Sequence, residues 1–178
     1  MKKEYKPLSL AEDILSALNN GILLTTKADD EVNTMVISWG TMGIEWGKPV
    51  FTTFVRESRH TYDLLMKNGE FTINVPLDGE LSGDVFEVCG SESGRDVNKI
   101  EKCHLTLVDG EEISVPGIQE CPITLECKVI YQQRQDVRVL LDAYRERCYP
   151  EVNEENAQNH DSVHTAFYGE IVKAYIID

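Results

Sequence analysis

Strand-like alternation recurs along this chain with only short helical stretches between, and no other feature constrains the fold as much. In VNTMVISW, residues 32 to 39, Met35, Ile37 and Trp39 share one face and Thr34, Val36 and Ser38 the other. GILLTT precedes it, and PVFTTFV follows at 49 to 55 with Pro49 at its edge. EFTINV at 70 to 75 sets Phe71, Ile73 and Val75 against Glu70, Thr72 and Asn74. HLTLV, ITLECKVIYQQ and the terminal HTAFYGEIVKAYII add three more. Strands thus outnumber helices and adjoin without regular strand–helix–strand alternation. This predicts a mainly β fold, an antiparallel β-barrel with peripheral helices.

The helices are brief. Ser9 and Glu12 form a capping-box pattern, Ile14, Leu15 and Leu18 an apolar stripe, and Asn20-Gly21 a stop. SRHTYDLLMKN (58 to 68) reads as a helix capped by Ser58 and closed by Gly69. Residues 80 to 102 read as short helices and loops, DVRVLLDAYRERC (136 to 148) as helical, and EVNEENAQNHDS (151 to 162) as a polar loop. No repeat or linker divides the 178 residues, so a single domain over 1–178 is expected.

Charge and motifs exclude several functions. With 17 Lys and Arg against 31 Asp and Glu, the net charge of −14 disfavours a general nucleic-acid or anionic-membrane binder. The N-terminus lacks an apolar leader core and no stretch reaches membrane-spanning length, which points to the cytoplasm. Five cysteines without a CxxC read as small apolar fillers in a reduced compartment. There is no GxGxxG or HExxH, and GSESG has Glu92 where a nucleophilic serine would stand. GIEWGKP is one residue short of a P-loop and puts Pro49 at the magnesium position. His160 and His164 flank a loop-to-strand junction, so no metal site is expected.

Against that acidity, FVRESRHTYDLL (54 to 65) gathers Arg56, Arg59 and His60 among Ser58 and Thr61. The free N–H groups of a helix's first turn, with its dipole, favour an anion, and basic residues there oppose the dipole unless an anion compensates. A phosphate would do so. The alternative is that the two arginines pair with Glu57, Asp63 or other carboxylates. In the preceding strand Asn33, Thr34 and Ser38 stand beside Met35 and Trp39, a mixture that suits an aromatic heterocycle, although Met35 and Trp39 also read as ordinary core.

The run VNTMVISWGTMGIEWGKPVFTTFVRESRHTYDLLMKNGEFTINVP resembles the N-terminal half of the flavin reductase-like, FMN-binding split-barrel family, close to the flavoredoxins. SGRDVNK (93 to 99) and HTAFYGEIVKAYI (164 to 176) resemble that family's middle and C-terminal motifs. The resemblance implies non-covalent FMN in a homodimer, its phosphate on Arg56, Ser58, Arg59, His60 and Thr61. It implies Asn33, Thr34, Met35, Ser38 and Trp39 along the flavin, with Gly94, Arg95 and Lys99 closing over it. It also implies that His164 meets the nicotinamide or shuttles a proton. For Arg95 and Lys99 a solvated helix face remains open, and for His164 a structural hydrogen-bonding role.

The activity so implied is an oxidoreductase that takes a hydride from NADH or NADPH onto bound FMN. Electrons would pass on to a flavin, ferric chelate, quinone or redox protein. Two other classes stay open. One is a non-enzymatic FMN-binding electron carrier reduced by a protein partner. The other is a barrel that binds pyridoxal phosphate or a sugar phosphate.

Overall fold

The computed structural model describes residues 1–153 and 155–178. The chain runs β1 (Lys2–Glu4), α1 (Ala11–Ala17), β2 (Ile22–Ala28), β3 (Glu31–Ile37), β4 (Gly40–Glu45), β5 (Lys48–Arg56), α2 (His60–Asn68) and β6 (Glu70–Val75). It continues through α3 (Gly83–Ser91), α4 (Lys99–Lys102), β7 (Leu107–Val108), β8 (Gly117–Ile118), β9 (Ile123–Arg134), α5 (Asp142–Cys148) and β10 (His164–Ile177).

One antiparallel sheet has the order β3-β2-β6-β9-β10-β5-β4, with β1 added on β10, while β7 and β8 pair apart from it. The sheet encloses a core that includes Leu24, Ile37, Phe51, Phe71, Leu125 and Phe167. This is the antiparallel barrel with peripheral helices that the alternation predicted. β3 and β4 stand at opposite ends of the strand order, so the barrel is split there and Ser38–Trp39 carries the chain across. Trp39 therefore lies beyond the strand, and the alternation read through it stops at Ile37. Gly40 makes the crossing possible: a Cβ there would stand 2.7 Å from the Phe51 ring.

Several local expectations change for physical reasons. Simple alternation would leave one row of β6 to solvent, yet Thr72 and Asn74 are fully buried. Asn74 donates to Thr25 and Thr72, both at 3.0 Å, and accepts from the Ile118 amide at 3.1 Å. The polar row is thus satisfied internally, under the segment that carries β8. Ser9 does not cap a helix; its hydroxyl donates to the Lys6 carbonyl in a 3-10 turn before α1. GIEWGKP holds the β4–β5 hairpin, whose two-residue turn puts Trp46 at φ 50° and Gly47 at φ 73°. Of HLTLV only Leu107–Val108 is strand. DVRVLLDAYRERC splits into a 3-10 turn at Val137–Val139 and α5, because Leu140 and Leu141 are extended.

The polar segment 151–162 includes Glu154, which lies outside the described residues. Its Val152 and Ala157 pack with Val137, Tyr149 and Val163 in a small cluster of their own. Among the described residues no helix is long and apolar enough to cross a membrane, and no group of three or more His, Cys, Asp or Glu side chains could hold a metal ion.

Candidate functional site

The site is built where β5 hands over to α2. The helix begins one residue later than Ser58 implied, with Arg59 at the cap position in extended conformation. Ser58 is held back from capping because its amide donates to the Asp161 carbonyl at 2.9 Å and its own carbonyl accepts from Arg95 at 2.9 Å. No side chain caps α2, and the amides of His60 and Thr61 have no acceptor among the described residues. This first turn is an unsatisfied donor set.

Two cations face it without a direct ion pair among the described residues, although Glu92, paired with Lys102 at 2.7 Å, also lines the recess. The Arg59 side chain makes no ion pair or hydrogen bond among the described residues, although the chain is rich in carboxylates. Lys99 is buried, with 5% of its surface exposed, and its Nζ donates only to the Cys89 carbonyl at 3.2 Å. Burial pulls the Lys99 ammonium below the ordinary lysine range, and the charge of Arg59 acts in the same direction. A buried ammonium without a carboxylate is costly in an isolated protein. The arrangement calls for an anion.

Asn33, Ser58, Arg59, Thr61, Gly94 and Lys99 are among the residues lining a recess of about 180 Å³ here. Asn33 donates to the Thr61 hydroxyl at 2.8 Å. Gly94 closes against Asn33: a Cβ at Gly94 would lie 2.2 Å from Asn33 Oδ1. Other expected members are partly committed. Arg95 binds Asp63 at 2.7 Å as well as Ser58, so its charge is already paired. His60 Nε2 pairs with Glu31 at 2.5 Å, while its buried Nδ1 has no hydrogen-bond partner.

The recess continues past Met35 and Arg59 into a second, of about 200 Å³, lined by Ser38, Trp39, Phe54, Arg56 and His164 among others. Arg56 contacts the Cys148 carbonyl at 3.2 Å. His164 is buried, and Trp39 lies against it with ring centroids 4.8 Å apart. Burial, with Arg56 and Arg59 nearby, lowers the His164 pKa to about 4, so the ring is neutral at pH 7. The Tyr149 hydroxyl donates to Gln135 Oε1 at 2.9 Å and lies 2.7 Å from His164 Nδ1. With that proton directed at Gln135, Nδ1–H donates to the phenol oxygen and Nε2 is left as an acceptor.

Thr34 does not join this set. Its hydroxyl faces the opposite side of β3, accepting from Thr25 at 3.1 Å and donating to the Leu24 carbonyl at 3.3 Å. The remaining expected residues line one or both recesses. Phe54, Gln135 and Tyr149 were not anticipated. Phe54 carries only a strand signal, and Tyr149 reaches His164 by a loop whose path no spacing reveals.

The flavin reductase like domain family matches residues 16–178. An uncharacterized protein of Archaeoglobus fulgidus is 36% identical over 101 residues, 57% of this chain and 55% of that protein. The chain therefore spans little more than half the length of that curated relative. Among solved structures it is similar to flavoredoxin from Methanosarcina acetivorans, with 24% identity and a TM-score of 0.64 over 89% of this chain and 69% of the other. It is also similar to an FMN-binding domain of a flavin reductases-like enzyme from Shewanella baltica, with 18% identity and a TM-score of 0.66 over 99% and 77% of the two chains. At these identities the likeness is one of fold.

Proposed function

The chain belongs to the flavin reductase like domain family, and from that premise we propose that it is an FMN-dependent oxidoreductase. The reductant is NADH or NADPH, and the acceptor is a small molecule or a redox protein. One observation carries this reading: the unpaired cations Arg59 and Lys99 meet uncapped helix amides beside a cleft walled by Met35 and Trp39. A ligand with a phosphate at one end and a flat ring at the other suits that pairing. The close approach of Gly94 to Asn33 fits a bound polar group as well. FMN is the flavin named in the Shewanella baltica structure, which supports the choice of cofactor.

FMN, when bound, supplies the two-electron chemistry. The chain's own residues do the rest. Arg59, Lys99 and the amides of His60 and Thr61 hold the phosphate, and the anion restores the ordinary charge balance around Lys99. Asn33, Met35 and Ser38 line the path from phosphate to ring. Trp39, Phe54 and His164 exclude water from the far end, where electrostatic contacts are stronger for being dry. Neutral His164 presents Nε2 as an acceptor at that end, and Tyr149 holds its tautomer. No side chain is asked to act as a nucleophile.

The charge of −14 favours a second reading, an FMN-binding electron carrier that docks a basic protein partner. We further infer a single domain over 1–178 working in the cytoplasm as a homodimer; exposed Ile44, Trp46 and Val139 support a covered surface.

The test is the visible spectrum of the purified full chain, followed by steady-state oxidation of NADH and NADPH. A flavin spectrum lost on acid denaturation, with turnover, is the expected result. Flavin without turnover supports the carrier, and a colourless protein that refuses FMN sinks both and revives the pyridoxal phosphate or sugar phosphate reading. Arg59→Ala should weaken FMN binding with the fold intact, and unchanged affinity would count against the phosphate role.

A further inference from the structure

Trp39 and Phe54 also wall a wider cleft, of about 610 Å³, that adjoins the recess beside His164. Its other walls come largely from the segment between β9 and β10, with Val137, Leu140, Tyr144 and Arg147 facing Tyr168. The surfaces are mainly aromatic and aliphatic, with Gln133, Gln135 and Asp136 among the polar members, and the volume is in the ~300–1,000 Å³ range of small-molecule sites.

The cations in and around this cleft are not equivalent. Arg134 is spent on Glu57 at 2.9 Å and on the carbonyls of Ala157 and His160. Arg138 pairs with Asp136 at 2.8 Å and Arg145 with Asp142 at 2.6 Å. Arg147 has no carboxylate partner among the described residues, and its guanidinium carbon lies 5.3 Å from the centre of the Tyr144 ring. An open guanidinium above an aromatic wall suits one carboxylate carried on a flat ring, because the fork takes the carboxylate while the ring stacks. A dinucleotide matches less well. Its pyrophosphate would bring two charges to a cleft that offers, among the described residues, one free cation and also holds Asp136.

We infer that this cleft binds a planar aromatic carboxylic acid beside the cofactor site proposed above. Its ring lies among Trp39, Tyr144 and Tyr168, and its carboxylate meets Arg147. The inference rests on that proposed function for what lies on the other side of Trp39.

The experiment compares 2-naphthoate with its uncharged analogue 2-naphthamide, titrated into the FMN-loaded full chain by calorimetry. Wild type should bind the acid about tenfold more tightly than the amide, the scale of one charge-assisted contact. Arg147→Ala should remove that preference while leaving amide and FMN affinities within about twofold. Leu140→Trp, which fills the cleft, should weaken both naphthalenes and spare FMN. Equal binding of acid and amide by wild type overturns the proposal, and so does an Arg147→Ala protein that keeps the preference. Loss of NADH affinity in Arg147→Ala without loss of acid binding also overturns it, by giving the cation to the reductant. A wild-type chain that takes up FMN but no naphthoate fells the acid site alone. One that takes up no FMN fells the underlying function and the acid site together.

Discussion

Lys99 makes the strongest demand on a ligand of any single residue. Its ammonium is buried against a carbonyl and makes no ion pair among the described residues. Lys99→Met keeps the aliphatic stem and removes the charge, so FMN affinity should fall at least about tenfold while the ligand-free protein is no less stable. Fluorescence titration of FMN and a denaturant midpoint check the two halves; a variant that binds FMN normally would return Lys99 to a structural role. His164 makes a different prediction. Its folded pKa is about 4 against an ordinary 6.5. Between those values the unfolded chain takes up a proton that the folded chain refuses, so stability is lost as pH falls through the window, by up to roughly 3 kcal/mol. In the ligand-free protein, His164→Gln should lose less stability than wild type between pH 7 and 4.5, measured by urea denaturation. Identical losses would mean that the histidine is not buried neutral. Residue identity alone exposed the cationic cluster, but whether its arginines were free or paired was undecidable, because 31 carboxylates compete for them. Folding resolves this residue by residue. Asp63 takes Arg95, Glu31 takes His60, and Arg59 is left alone.

At the scale of elements, the loop that carries Gly94 meets β3 at a distance only glycine tolerates. Asn33 cannot yield freely, since its amide is tied to Thr61. Gly94→Ala should therefore cost about 1–3 kcal/mol and displace either Asn33 or the 93–97 turn, with weaker FMN binding as the companion readout. A melting temperature and FMN affinity both equal to wild type would show that the loop is free to move aside. Strands were legible where period-two alternation is clear, as in the six residues of β6. The equally short β4 was not. The β4–β5 hairpin hid inside a sequence that mimics a phosphate loop, and its Trp46-Gly47 turn is set by two positive φ angles rather than by apolar pattern. The delayed start of α2 escaped for a similar reason: Ser58 has the right chemistry for a cap, but the Asp161 carbonyl claims its amide from a distant segment.

The whole molecule sets the site's cations against a net charge of −14. Added salt should act in opposite directions on folding and on binding. Raising it from low to high ionic strength relieves carboxylate repulsion and raises the melting temperature of the ligand-free protein. It also screens Arg59 and weakens FMN binding by about two- to fivefold. Saturating FMN, at about a hundredfold over its dissociation constant, should add roughly 2.7 kcal/mol and raise the melting temperature by several degrees. Thermal melts in a salt series, with and without FMN, read both effects; a binding constant indifferent to salt would argue against phosphate recognition by these side chains.

From its order of residues alone, the chain determined its barrel, its short helices and the place where basic side chains collect, since periodicity and local composition are properties of neighbours. Only the tertiary structure decided which cations stay unpaired, that Thr34 turns away from the cleft while Tyr149 reaches His164, and that an aromatic cleft opens beyond Trp39. Those outcomes depend on which remote groups compete for the same partner, and such competition begins only when the chain is folded.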